Sequence, residues 1–317
     1  MVDYFDCISS KIINKHKLLV NVKYYSIQRL FIRIIANILI PFYYLTTGNA
    51  ARLHTLNNQG TDKKIIVSLT TFPARIGRIW IVIESLLRQD YKPDKIILWL
   101  SKEQFHSIND LPRKLLNQQK RGLEIRFVEG DIKSHKKYFY CLKEYPDDYL
   151  VTVDDDTIYP TFCLSKLIKY NSIYPKSIVC HRASEITIKN NEICPYNQWV
   201  GIKGHAGASF KIFPTGISGI LYPPYSLHNE VLNEKAFTEH CLYADDIWLN
   251  CMSQLNKTTI VKTDSNSVYL PVLFANNQSL TTINVNNRGN DLQLHAVREY
   301  CVEKFGIDPL ENVLTHR

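Results

Sequence analysis

Three consecutive carboxylates, Asp154, Asp155 and Asp156, follow the apolar run Tyr149-Leu150-Val151-Thr152-Val153 and precede Thr157-Ile158-Tyr159-Pro160. Val151, Thr152 and Val153 are β-branched and suit a pleated interior, so the order reads as a buried strand delivering acids to its C-terminal end. Adjacent acids repel one another in a dry setting and need a compensating charge. A hard divalent cation, Mg²⁺ or Mn²⁺, meets that need with one or two carboxylates and fills its other positions with water and substrate phosphate. The plain alternative is a solvated acidic turn capping the helix expected from Thr161 to Tyr170. A second pair, Asp245 and Asp246, opens a helical pattern after Tyr243-Ala244. It reads either as an N-cap, where carboxylates accept backbone N–H bonds, or as the other half of a site. Arg75 and the adjacent lysines Lys136 and Lys137 are the basic residues that could face phosphates, a solvated basic face being the alternative for the lysines. His205 and His295 are candidate third metal ligands, against the commoner structural or surface role of an isolated histidine.

Positioning these groups requires strands and helices in alternation. Lys64 to Thr71 is expected as a buried strand broken at Phe72-Pro73, and Ile76, Ile79, Trp80, Ile83, Leu86 and Leu87 recur at helical spacing. Lys95 to Leu100, Glu124 to Val128, Tyr149 to Val153 and Ile178 to Cys180 are further strands, and Lys136 to Lys143 is a helix. Such alternation implies an α/β fold with a largely parallel sheet. Ligands in these sheets gather beyond the carboxyl ends of the strands, where Thr70, Thr71, Arg75 and the three aspartates fall. Neither G-x-G-x-x-G nor G-x-x-x-x-G-K-[ST] occurs, so the usual phosphate-cradling loops are missing. The stretch from Gly201 to Leu221 is glycine-rich, which in an apolar strand marks a bend or a close approach of backbone to ligand. The polar stretches Asn276-Asn277-Gln278 and Asn286 to Asp291 read as a closing loop.

The chain has 317 residues, 45% apolar and 21% charged, an ordinary globular composition. Its formal charge of +8 suits an anionic partner, a phosphate ligand or a membrane surface. Basic and aromatic interleaving and zinc-finger spacing are both missing, which argues against nucleic acid. The eight cysteines contain no C-x-x-C pair and fit small core residues in a reducing, cytoplasmic compartment. Residues 1 to 60 differ from the rest: Lys11, Lys15, Lys17, Lys23, Arg29 and Arg33 punctuate apolar stretches that culminate in Leu30 to Leu45. Arg33 and Pro41 interrupt that run and leave it short for a membrane span. It reads as an interfacial helix on the inner face of the cytoplasmic membrane or as a helix packed on the domain that residues 61 to 317 form.

From about Lys63 onward the chain resembles the GT-A glycosyltransferases, and within them the bacterial glycosyltransferase-2-like enzymes of surface polysaccharide synthesis (O-antigen, capsule, lipopolysaccharide). The resemblance lies in Ile66-Val67-Ser68-Leu69-Thr70-Thr71-Phe72-Pro73-Ala74-Arg75, in Ile83 to Gln89 followed by Pro93 to Leu98, in Val153-Asp154-Asp155-Asp156 with Tyr159-Pro160, and in Ala244-Asp245-Asp246. It implies a metal-dependent transfer of a sugar, with inversion, from a nucleotide-sugar donor such as a UDP-sugar to a glycan or lipid-linked acceptor. By the same resemblance Asp156 binds Mn²⁺ or Mg²⁺ directly, Asp154 or Asp155 faces the ribose and a metal water, and Asp245 or Asp246 is the base. Thr70, Thr71, Arg75, Lys136 and Lys137 are the expected donor-binding residues. The competing readings are a sugar-phosphate nucleotidyltransferase, whose glycine-rich basic loop Thr70-Thr71-Phe72-Pro73 does not provide, and a non-catalytic carbohydrate- or Ca²⁺-binding protein.

Overall fold

The computed structural model of the protein describes residues 1–12, 24–48, 56, 63–265, 270–273 and 289–315. Two helices come first, α1 (Val2–Lys11) and α2 (Tyr24–Thr47). Strands β1 (Ile65–Thr70), β2 (Lys95–Ser101), β3 (Leu123–Val128) and β4 (Tyr149–Thr152) then alternate with helices α3 (Ile79–Leu87) and α4 (Lys136–Glu144), and α5 (Cys163–Ile173) leads into β5 (Ile178–Cys180). Short strands follow: β6 (Ala183–Glu185), β7 (Ile188–Lys189), β8 (Glu192–Ile193), β9 (Val200–Gly201), β10 (Ala206–Ser209), β11 (Ile212–Pro214) and β12 (Ile220–Tyr222). Helices α6 (Glu234–His240) and α7 (Asp245–Leu255), strand β13 (Ile260–Lys262) and helix α8 (Gly289–Phe305) complete the labelled elements.

One eight-stranded sheet, in the order β10-β13-β5-β12-β4-β1-β2-β3, carries the fold. The run β4-β1-β2-β3 is parallel throughout, and β13 pairs parallel with β5. Between the two lies β12, antiparallel to both β4 and β5, and β10 is antiparallel at the far edge. The sheet is therefore largely parallel, as the sequence predicts, with β12 and β10 as its antiparallel members. The chain reverses at Gly219, whose φ of +93° few other residues adopt, and re-enters the sheet against β4. The expected class, α/β with a mostly parallel central sheet flanked by helices and a helical amino-terminal extension, is the observed one.

Strand periodicity divides the core. Val67 and Leu69 of β1 face a layer containing α3 and α5, whereas Ile66 faces Tyr138 and Phe139 of α4, Trp248 of α7 and Val297 of α8. All of these named side chains are buried, and each fully buried large apolar chain contributes about 1.5–3 kcal/mol. Val2, Phe5, Ala36, Ile40 and Tyr44 belong to the same core as β1 and α3. α2 is a single helix of 24 residues that continues through Pro41, so the run that the sequence reads as interrupted and short for a membrane span lies within a longer helix. Its inner face packs on the domain over two turns around Pro41, and that burial outweighs the single backbone bond that proline removes. Among the described residues α2 is the one helix long and apolar enough, by length and composition, to cross a membrane.

Candidate active site

Parallel pairing brings the carboxyl ends of β1 and β4 to one edge, with Thr71 and Arg75 beyond the first and Asp154, Asp155 and Asp156 beyond the second. The two acidic clusters meet there. Lys137, in the first turn of α4, lies with its Nζ 2.9 Å from Asp154 Oδ1 and 2.8 Å from Asp245 Oδ2. The first contact is a hydrogen bond; the second is held by charge without hydrogen-bond alignment. Asp246, next in α7, accepts the Gly216 amide on Oδ2 at 3.0 Å. A Cβ at Gly216 would lie 3.2 Å from Asp246 Oδ1 and 3.4 Å from both carboxylate oxygens of Asp154. Gly216 is thus the floor of a cradle walled by Asp154 and Asp246, which any larger residue would fill.

The capping alternatives do not describe these acids. The N-cap position of α7 is Ala244, without a side-chain cap, and α5 starts at Cys163 behind Phe162, equally uncapped. Asp245 and Asp246 occupy the first turn of α7, where the helix N-terminus favours negative charge. Nor are the two lysines a solvated face, since both are buried.

Electrostatics separate the carboxylates. Burial pushes the Asp245 carboxyl up, but the Lys137 ammonium outweighs it and holds the group below the ordinary carboxylate range. Asp246 is raised to about 7, first by burial and then by the charge of Asp245. Asp156 is raised to about 6 by burial and by Asp154. Lys137 is driven well above its ordinary value, its burial overcome by Asp154, Asp245 and Asp246. One ammonium therefore serves three carboxylates, Asp154, Asp245 and Asp246, and the uncompensated repulsion appears as the raised values of Asp246 and of the neighbouring Asp156.

Other expected site residues are placed differently. Asp155 turns inward: Thr71 Oγ1 donates to Oδ2 at 2.6 Å and Arg75 Nη1 to Oδ1 at 2.5 Å, and burial raises its pKa despite the guanidinium. Arg75 Nη1 also lies 3.1 Å from Asp156 Oδ2. Thr70 donates its hydroxyl to the Trp99 carbonyl at 2.9 Å, closing the strand end. Lys136 points away from Lys137 and pairs with Asp131, which Lys133 also reaches at 2.5 Å. His205 bonds the Lys262 carbonyl at 2.7 Å and His295 is exposed beside Glu299, so the structure does not bring either to the acidic cluster. Asn276 to Gln278 and Asn286 to Arg288 lie outside the described residues; Gly289, Asn290 and Asp291 open α8 where a loop is expected, and Asp291 accepts the Tyr196 amide at 2.7 Å.

Four further residues support the site: Tyr159, Ser85 and Gln89 lie in stretches that carry the resemblance but have no role assigned by it, and His135 carries no sequence signal of its own. Tyr159 accepts the Asp154 amide on its hydroxyl at 2.8 Å and fixes the first acid of the triad. Ser85 and Gln89 of α3 hold the segment behind it, Ser85 Oγ accepting from Tyr159 N at 3.1 Å and Gln89 Nε2 donating to Pro160 O at 2.8 Å. His135 lies beneath Lys137, stacked on Phe237 with ring centroids 4.3 Å apart and held neutral, near 4, by burial.

A divalent cation fits this donor set. Its ligands would be the hard oxygens of Asp154 and Asp156, beside a cradle that the bare Cα of Gly216 keeps open. Among the described residues there is no preformed group of three or more His, Cys, Asp or Glu at metal-binding spacing. Mg²⁺ and Mn²⁺ take few protein ligands and complete their shell with water and phosphate.

No family model matches the chain, and no curated protein matches it. Among solved structures its architecture is similar to those of several enzymes. A mannosyltransferase from Pyrobaculum calidifontis, PcManGT, solved in complex with GDP-Man and Mn²⁺, aligns at 11% identity over 89% of this chain and 77% of that one, TM-score 0.48. S. aureus TarS, residues 1–349, aligns at 12% identity with a TM-score of 0.42, covering 65% of this chain and 59% of that one. A 4-diphosphocytidyl-2C-methyl-D-erythritol synthase from Anaerococcus prevotii aligns at 16% identity over 72% of this chain and all of its own, TM-score 0.41.

Proposed function

We propose that the protein is a glycosyltransferase of the GT-A class that moves a sugar, with inversion, from a nucleotide-sugar donor to a glycan or lipid-linked acceptor in surface polysaccharide synthesis. The observation that carries this reading is the convergence of Asp154 and Asp246 on the Gly216 cradle, with Lys137 bridging the two acidic clusters. A displacement at an anomeric carbon needs positive charge for the departing diphosphate and a base for the incoming hydroxyl. A divalent cation, when held by Asp154 and Asp156, supplies the first. Asp246 supplies the second: a carboxylate with a value of about 7 is both ionised enough and basic enough to act near neutrality.

In the step itself the acceptor O–H proton passes to an Asp246 oxygen as the acceptor oxygen bonds the anomeric carbon. The bond from that carbon to the diphosphate breaks, and its electron pair leaves with the diphosphate. Asp245, held ionised against Lys137, fixes the ammonium beneath the site and keeps Asp246 basic through its own charge. Arg75 and Thr71 lock Asp155, which sets the backbone that presents Asp154 and Asp156. The outer face of α2 belongs, in this reading, on the inner surface of the cytoplasmic membrane, where a lipid-linked acceptor would be met.

The test is a panel of nucleotide sugars with Mn²⁺, read as nucleoside diphosphate release, with Asp246→Asn and Asp245→Asn compared. Asp246→Asn should lower kcat by about 10²–10⁴-fold with donor affinity retained. Wild-type turnover in that variant would remove the base and with it the inverting mechanism; release of inorganic pyrophosphate from a nucleoside triphosphate and a sugar phosphate would replace the reading by nucleotidyl transfer.

A further inference from the structure

The amino-terminal helices touch the acidic edge through two side chains that the mechanism leaves unused. Asn37, buried on the inner face of α2, donates to the Pro271 carbonyl at 2.9 Å and accepts the Leu273 amide at 2.7 Å. The strip it grips pairs directly with the chain behind the triad: Val272 N donates to Asp156 O at 2.8 Å, Ile158 N donates to Leu270 O at 3.0 Å, and Thr157 bridges Pro271. From α1, Asp3 accepts both the amide and the hydroxyl of Thr161, at 2.7 and 2.9 Å. The segment from Asp156 to Thr161 is therefore held at both ends by helices that precede the sheet in sequence.

The opposite face of α2 is apolar and open. Ile27, Phe31, Ile38, Phe42 and Leu45 recur at spacings of three, four and seven residues, the repeat of one helix face, and are each more than half exposed. Between Asp6 and Asp62 the chain carries seven lysines and arginines and no acidic residue, so this region supplies most of the net charge of +8. The side of α2 opposite the domain is left free to meet a surface, and the positive excess of this stretch of sequence matches an anionic bilayer.

Resting on the reading of the site given above, we propose that α1 and α2 form a brace: the outer face of α2 docks on an anionic bilayer, and Asn37 and Asp3 transmit that docking to the segment from Asp156 to Thr161. Both are positioning residues, acting through the backbone that presents Asp156. A bilayer that orders α2 orders the metal-facing acid with it, so the site is best formed where a lipid-linked acceptor lies.

The test is amide hydrogen exchange of peptides covering residues 154–161 in the full chain, with phosphatidylcholine vesicles or with vesicles containing phosphatidylglycerol, vesicle binding being scored by sedimentation. Anionic vesicles should bind the protein and slow exchange in 154–161 by about tenfold, neutral ones should do neither. Asn37→Ala should still sediment with anionic vesicles but lose the slowing; Asp3→Ala should weaken it and Asp3→Asn, which can still accept from the Thr161 amide, should restore it. Tyr44→Phe on the same inner face, where the hydroxyl has no partner, should behave as wild type. Binding without any change in 154–161, an Asn37→Ala variant that responds fully, or no preference for anionic vesicles would each overturn the proposal. The readout uses neither donor nor metal, so it stands or falls separately from glycosyl transfer.

Discussion

Replacing Lys137 by methionine removes one positive charge and keeps the stem. Its ammonium lies within 3 Å of two carboxylates, Asp154 and Asp245, and sets the charge state of a third, Asp246. Breaking a buried ion pair by removing one partner costs about 3–5 kcal/mol, because the remaining charge is left without compensation. With about 2.1 cal/mol/K of unfolding entropy per residue over 317 residues, that loss lowers the melting temperature by about 4–8 °C. The size of the loss should depend on pH in a definite sense. Asp246 has a folded value, about 7, above its unfolded one, so at lower pH the folded state takes up a proton and relieves the repulsion that Lys137 otherwise neutralises. The deficit is therefore greatest above that value and shrinks below it. Mn²⁺ should recover part of it, and more in Lys137→Met than in wild type, since the cation then supplies the only positive charge among Asp154, Asp245 and Asp246. Thermal melts with EDTA and with Mn²⁺, on both sides of the Asp246 value, measure all three effects. An unchanged melting temperature above it in EDTA would refute the reasoning, because an ammonium shared by three carboxylates cannot be dispensable.

Asp156→Asn keeps shape but loses the charge that holds a cation; calorimetry should find metal binding weakened at least tenfold, a change of about 1.4 kcal/mol, and retained binding would exclude Asp156 as a ligand. Lys136→Met should destabilise the fold through Asp131 yet leave kcat unchanged in the folded fraction, and a selective loss of kcat would return Lys136 to the donor site. In the metal-free wild type, Asp156 and Asp246 bind more protons folded than unfolded between the unperturbed carboxylate value and about 6 to 7, so stability should fall as pH rises through that window. Melts across the range with EDTA check the slope, and a rise would mean that both groups are ionised in the folded chain.

Much of the frame was readable from side-chain order alone. Buried parallel strands are continuous apolar runs, so β1 to β5 fall within a residue or two of their expected bounds, and the triad after Val153 and the pair after Ala244 stand out as acids at the ends of apolar segments. What chain order could not give is which acid meets which cation. Lys136 and Lys137 are neighbours in sequence, but successive helical residues diverge by about 100°, and that angle sends one to Asp131 and the other between the two acidic clusters. Asp155 lies between Asp154 and Asp156, yet Thr71 and Arg75, in the segment beyond β1, take it inward. The antiparallel entry of β12 and the cradle at Gly216 depend on contacts between residues tens of positions apart. The amino terminus shows the same limit: the sequence left open whether its helix lies on a membrane or packs on the domain, and the burial of Ala36, Ile40 and Tyr44 in the core that includes β1 and α3 is a tertiary contact that local pattern does not contain. Periodicity is a local property and was legible; pairing of charges is set by the packed chain, where the low-dielectric interior makes each partner's distance decisive.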